Sequence, residues 1–279
     1  MKTTNLTIIF CVLFVSYQLT SCQKDQSGTM VNANSVDNGG IRKLPVDSTL
    51  VAWYPFTNGE LGDKSGHHNK IIFCSATPTV AKNGKDSDAY YFDGTSSYMQ
   101  VKNRPSLNPT QAITLAALIK PMGFYQGQCH GNRILNKEYS DATDGRYLLG
   151  YDDQKFYNYT GCDQPVKENH ENFYGTYGNG QAAASGATDT ANVRPGKWYN
   201  IVYTYGNGVS NLYINNKLVM SAAVSTSFTP NTYDLLIGKS LNPPFPYYFT
   251  GVIDEIRIYN RALSSSEITG LSSLMGKDN

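Results

Sequence analysis

Short apolar runs, each closed by Gly, Asn, Asp or Pro, recur through most of this chain. No stretch carries the 3.6-residue period of a long amphipathic helix. Leu50–Tyr54, Ala89–Phe92, Tyr98–Lys102, Ile113–Lys120, Tyr199–Tyr205, Asn211–Ile214, Leu218–Ser221, Leu235–Gly238 and Val252–Tyr259 read as strands. In Ile113–Lys120, Ile113, Leu115, Ala117 and Ile119 share one face, and Thr114, Ala116, Leu118 and Lys120 share the other. Asn215-Asn216 is expected to turn a two-residue hairpin, because Asn tolerates positive φ. Many short strands at this spacing predict an all-β sandwich or barrel. One short helix is expected near the C-terminus, where Ser264 and Glu267 form a capping box ahead of Ile268 and Leu271.

The N-terminus stands apart. Leu6–Val15 is an apolar run too short to span a bilayer, as in a signal peptide. Leu19-Thr-Ser-Cys22 follows and resembles a bacterial lipobox, which implies cleavage before Cys22 and lipid attachment to its sulfur. Acyl chains would then hold the protein to a membrane without a spanning helix. Gln23-Lys-Asp-Gln26 partly resembles a surface-export tag, so an outer-membrane lipoprotein on the cell surface is expected, with the periplasm-facing leaflet as the alternative. Residues 1–21 are thus a signal peptide, 22–45 a polar tether and 46–275 one folded domain.

Charge excludes one class of partner. Charged residues are 16% of the chain and the formal net charge is +1, with no basic stripe, so nucleic-acid binding is not expected. In an oxidising compartment three cysteines remain after Cys11 and Cys22: Cys74, Cys129 and Cys162. Cys129 and Cys162 lie in Gly-rich polar contexts and are the expected disulfide, worth about 3 to 4 kcal/mol by loop closure. Cys74 follows Ile71-Ile-Phe73 and reads as a buried thiol.

Several strings carry a resemblance over residues 48–272. They are Leu50-Val-Ala-Trp-Tyr-Pro-Phe56, Asp63-x-Ser65-Gly66, Tyr91-Phe-Asp-Gly94, Ile113-Thr-Leu-Ala-Ala-Leu-Ile-Lys-Pro121, Gly196-Lys-Trp-Tyr-Asn-Ile-Val202 and Gly251-Val-Ile-Asp-Glu-Ile-Arg-Ile-Tyr259. Together they resemble the bacterial laminin G-like branch of the concanavalin A-like jelly rolls. That implies a two-sheet antiparallel jelly-roll sandwich with one concave sheet and with the first and last strands adjacent. Leu118 stands where many relatives carry Trp, so a binding platform built on that ring is not carried over. Relatives hold a structural calcium near positions matching Asp63 and Asp254. The competing expectation is that Asp63 caps its own turn and that Asp254 accepts backbone N–H groups.

Glycoside hydrolases share this fold and need two carboxylates facing one bond. Asp254 and Glu255 are adjacent on a strand and point apart. Glu138 and Asp152 are the nearest to a pair, without a partner geometry legible in sequence, so the chain reads as a non-enzyme. The expected ligand is carbohydrate, and the expected site is the Tyr-rich segment from Tyr125 to Tyr177, which reads as short strands with long loops. Tyr125, Tyr139, Tyr157, Tyr159 and Tyr174 offer flat rings with a hydroxyl, and Asp152, Asn158, Asn172 and Lys137 offer hydrogen bonds. Phe156 is assigned to the core, Tyr157 and Tyr159 to the surface. A structural or adhesive module that docks a protein partner is the alternative, and a glycoside hydrolase of the same fold the second.

Overall fold

The computed structural model describes residues 48–126, 131–138, 144–153, 171–179, 193–241 and 245–275. In chain order its strands are β1 (Leu50–Tyr54), β2 (Ile71–Cys74), β3 (Thr77–Thr79), β4 (Ala89–Asp93), β5 (Met99–Val101), β6 (Ile113–Pro121), β7 (Asn132–Lys137), β8 (Gly145–Asp153), β9 (Glu171–Asn179), β10 (Tyr199–Gly206), β11 (Val209–Ile214), β12 (Lys217–Ala223), β13 (Leu235–Ile237) and β14 (Thr250–Tyr259). They form two antiparallel sheets, one ordered β12-β11-β10-β6-β14-β4-β3 with β1 also on β14, the other β2-β5-β13-β7-β8-β9. A single helix, α1 (Ser265–Leu274), follows the last strand among the described residues. None of the described helices is long and apolar enough to cross a membrane.

The core lies between the sheets, as the period-two alternation requires. Ile113, Leu115, Ala117 and Ile119 of β6 enter it together with Tyr147, Leu149 and Tyr151 of β8 and Phe173 and Tyr177 of β9. The other face of β6 is buried too. Ala116 and Leu118 pack beneath α1 with Ile268, Leu271 and Met275. Leu118 is therefore part of the seal under the helix and has no open surface to lend to a ligand.

Much of this was legible. Asn215 and Asn216 take φ of 49° and 71°, and Ile214 pairs with Lys217 across them. β1 pairs with β14, so the two ends of the domain meet. Ser264 and Glu267 form both halves of the capping box. The middle of the chain differs from expectation. β8 and β9 are nine residues each, and β7 is six. Polar and Gly residues on one face of these strands hide the alternation. Cys74, expected to be buried, is half-exposed on β2 with its thiol toward the Ala76 carbonyl at 3.6 Å. Cys22, Cys129 and Cys162 lie outside the described residues.

Glu267 ties α1 to the sheet. Its carboxylate receives the Arg261 guanidinium at 2.8 and 2.9 Å and the Ser264 amide at 2.8 Å. Burial pushes its pKa up, but these donors outweigh burial and hold it at about 2, below the ordinary 4.5. A depressed carboxyl stabilises the fold above the unfolded pKa and loses that contribution as pH falls from about 4.5 toward 2. Glu267→Ala is expected to cost roughly 1 to 2 kcal/mol at pH 7, after discounting for its partial exposure, and less at pH 3. Urea unfolding at the two pH values measures both.

Candidate functional site

The face of the six-stranded sheet turned away from the core is built in rows, because side chains level with one another in register share a face. One row runs across all six strands: Phe73, Gln100, Leu236, Asn136, Leu148 and Thr176. On one side of it stand Arg133, Gly150 and Tyr174, and beyond them Asp152 and Asn172. On its other side stand Glu138 and Arg146. Leu148, Tyr174 and Leu236 are buried without belonging to the core between the sheets. The polar members are buried as well: Arg133 is 4% exposed, Arg146 7%, Asp152 1% and Thr176 6%.

Charge organises this face. Glu138 sits between two guanidinium groups, with Arg133 Nε at 3.8 Å and Arg146 Nη1 at 3.6 Å. The Asn136 amide nitrogen lies 3.4 Å from the same carboxylate. Arg133 also donates to the Tyr174 hydroxyl. It reaches that group across β8 at Gly150, where a Cβ would meet the Asn132 carbonyl at 2.4 Å. The Arg146 Nε and the Thr176 hydroxyl are buried and make no hydrogen bond.

At the Arg133 end the face rises into an aromatic rim. The Arg133 guanidinium lies over the rings of Tyr174 and Tyr247, at 5.4 and 4.5 Å from their centroids. Tyr125 meets Tyr247 edge-on at 6.2 Å and Tyr248 at 6.5 Å. Phe245 stacks on Tyr247 at 5.9 Å. Lys239 Nζ sits 5.3 Å from the Tyr248 ring and 4.7 Å from the Tyr98 ring, and Tyr98 touches Phe73 at 4.7 Å. Tyr98, Tyr125, Lys239, Phe245, Tyr247 and Tyr248 are all half-buried, and Phe73 is exposed. Tyr247 is held at φ 45°, a conformation bulky residues rarely adopt. Its carbonyl accepts the Arg133 amide at 3.0 Å, and its ring packs where a Cβ on Gly131 would come within 2.8 Å. Backbone strain and a missing side chain together aim this ring at the guanidinium.

The expected site residues divide accordingly. Tyr125 stands in the rim and Tyr174 beneath it, while Asp152 is buried one row further on. Tyr139, Tyr157, Asn158 and Tyr159, together with Phe156, lie outside the described residues. Tyr147, Tyr151, Phe173 and Tyr177, from the same Tyr-rich segment, are core residues. Lys137 faces inward and does not offer a ligand contact. Its ammonium donates to Asn108 Oδ1 at 2.9 Å and to Asn231 Oδ1, and burial lowers its pKa to about 8. Sequence patterning does not single out Phe73, Tyr98, Arg133, Lys239 or Tyr247. Its one signal for the rim is Pro243-Pro-Phe-Pro-Tyr-Tyr248, an aromatic string stiffened by proline.

Glu138 and Asp152 do not form the pair a glycosidase uses. Glu138 is level with Arg146, and Asp152 is six residues along β8, so their backbone positions are about 20 Å apart. Arg133 stands between them. Retention and inversion call for about 5 to 9.5 Å. Asp63 and Asp254 do not converge either. Asp63 Oδ1 accepts from the Trp53 and Ser65 amides at 3.0 and 2.9 Å, and Oδ2 from the Ser65 hydroxyl and the Asn69 amide at 2.8 Å each. Asp254 accepts from the Lys82 amide at 2.9 Å. It lies three residues along β14 from Arg257, the partner of Trp53, or about 10 Å. Among the described residues no three His, Cys, Asp or Glu side chains gather as metal ligands. The turn-organising reading fits Asp63: all four acceptor positions of its carboxylate are used.

With this geometry in place the comparisons are informative. A family model of the laminin G-like type matches residues 93–269. The chain belongs to the concanavalin A-like lectin/glucanases superfamily. No curated protein matches it in sequence. Among solved structures this laminin G-like chain resembles domain 4 of AbnA, an extracellular arabinanase of Geobacillus stearothermophilus, seen with arabinotriose. The TM-score is 0.56 at 19% identity, over 80% of this chain and 98% of that one. It also resembles a chain of botulinum neurotoxin type C, whose cell entry depends on two ganglioside molecules (TM-score 0.56, 12% identity, 83% and 52% covered). A third is the Trypanosoma rangeli sialidase, seen with sialic acid (TM-score 0.55, 17% identity, 83% and 34% covered). This chain thus spans about half of the toxin chain and a third of the sialidase, and at these identities the likeness establishes the fold.

Asp63→Ala would leave three amides and a hydroxyl without their acceptor. It is expected to cost about 3 kcal/mol: a fully buried stranded donor costs roughly 1 to 3, and water reaches these four part-buried donors and reduces each penalty. EDTA is expected to leave the wild-type melting midpoint unchanged. A fall on chelation would show that the domain also holds a metal.

Proposed function

We propose that this protein is a non-catalytic, glycan-binding lipoprotein of the outer membrane, presented at the cell surface, and that sugar rings stack on the rim of the six-stranded sheet. The observation that carries the reading is the rim itself. Tyr98, Tyr125, Tyr247 and Tyr248 are half-buried rings fixed by one another and by two cations, so little freedom is lost when a ligand settles on them. Tyrosine gives an apolar face for the C–H groups of a sugar and a hydroxyl for its oxygens. The middle of the other long face is covered by α1, whose Ile268 and Leu271 pack on Ala116 and Leu118. Tyr157, Asn158 and Tyr159 follow β8 in the chain, outside the described residues, and remain part of the proposal. The sugars seen with domain 4 of the arabinanase and with the sialidase support a carbohydrate ligand. The separation of Glu138 from Asp152 supports binding without cleavage.

Replacing both Tyr247 and Tyr248 by Ala is expected to weaken glycan binding about thirtyfold, at about 1 kcal/mol per lost stacking partner. A glycan array with the detergent-solubilised chain, followed by calorimetry on the hits, measures this. Unchanged affinity would move the site elsewhere, and Tyr157→Ala with Tyr159→Ala is then the decisive variant. For the anchor, Cys22→Ala is expected to abolish incorporation of labelled palmitate and to shift the protein from the membrane fraction to the soluble fraction.

A further inference from the structure

The rim contains a cation that no carboxylate among the described residues matches. Lys239 lies two residues past the end of β13, the strand beside β7, and its ammonium is held between the rings of Tyr98 and Tyr248. Among the described residues no carboxylate forms an ion pair with it. A lysine side chain is long, flexible and strongly hydrated, and in open solvent it is rarely confined. Here two aromatic rings confine it and strip part of its water, while leaving it half-exposed.

The rest of the face is charged as well. Arg133 and Arg146 flank the carboxylate of Glu138, at 3.8 and 3.6 Å. The Arg146 Nε is buried and makes no hydrogen bond. Among the described residues this side of the sheet also carries Asp152, and Asp234 paired with Lys102 at 3.5 Å beside Gln100. The chain as a whole is close to neutral, at +1. The Lys239 ammonium is therefore a local feature, and it coincides with the aromatic rim.

We propose that the ligand of this face is an acidic glycan, one bearing carboxylate or sulfate groups, and that the Lys239 ammonium supplies the counter-charge beside the stacking rings. This rests on the glycan-binding reading above and narrows it to a ligand class. A neutral sugar would leave the ammonium partly desolvated and unmatched. An anionic group placed between Tyr98 and Tyr248 would restore what the rings removed and would gain a charge-assisted hydrogen bond.

The test uses the detergent-solubilised full chain and three matched oligosaccharides: a neutral one, its uronic-acid analogue and its sulfated analogue. Calorimetry is run at 50 and 500 mM NaCl on the wild type, Lys239→Met and Lys239→Arg. At least one acidic analogue is expected to bind about tenfold or more tighter than the neutral parent. That preference should shrink in high salt, vanish in Lys239→Met and persist in Lys239→Arg, with melting curves showing that all three proteins are folded. Whichever of the uronic and sulfated arms binds tighter identifies the acidic group. Equal binding of neutral and acidic forms, or a preference untouched by Lys239→Met, overturns the acidic class while leaving glycan binding intact. Failure of all three, together with a glycan array that shows no hits, overturns both readings.

Discussion

The pairing of β14 holds the domain together. This ten-residue strand pairs with β6 on one side along most of its length. On the other side it pairs first with β4, from Thr250 to Ile253, and then with β1, from Ile256 to Tyr259. The change of partner coincides with a bulge at Asp254. Burial raises the pKa of Asp254 to about 6, with Glu255 and Asp88 adding to the rise and the hydrogen bond from the Lys82 amide opposing it. A costly carboxylate is thus kept at the one place where the strand exchanges neighbours. Joining β1 to β14 closes about 200 residues of chain, and the loop-closure entropy of that contact must be met by the burial it allows.

Once that sheet exists, its two faces are committed. One carries Ile253, Ile256 and Ile258 into the main core. The other receives α1, whose Ile268 and Leu271 cover Ala116, Leu118 and Tyr259. Trp53 lies at the margin of this second layer, where its indole donates to Glu255 at 2.9 Å and stacks on Arg257 at 4.3 Å. The six-stranded sheet has the opposite character. Its inner face is aromatic and aliphatic, and its outer face carries buried charge, with Glu138 between Arg133 and Arg146. Buried charged clusters concentrate where a protein recognises something else.

The strained Tyr247, the bare position at Gly131 and the crossing at Gly150 belong to one device. Each clears or fixes the space around the Arg133 guanidinium, which connects the polar rows to the aromatic rim. A left-handed tyrosine persists only where its surroundings over-determine it. Here they do so through a backbone hydrogen bond, a cation beneath the ring and Phe245 stacked on it.

The sequence by itself determined the all-β class, the boundaries of most strands, the Asn215-Asn216 turn, the helix cap and the meeting of first and last strands. These follow from local rules: alternation, positive φ, a capping box and a family pattern. Tertiary structure decided which face each strand of the middle segment presents. Gly145–Asp153 alternates Tyr and Leu against Arg, Gly and Asp, and sequence cannot say which set faces the core when both sets are buried. Tyr147, Tyr151 and Tyr177 enter the core, while Tyr125 and Tyr174 from the same Tyr-rich segment lie at the site. The rim was hidden for a different reason. Phe73, Tyr98, Tyr125, Lys239 and Tyr247 come from five separate places in the chain, and only the stacking of β2, β5, β13 and β7 in one sheet brings them together.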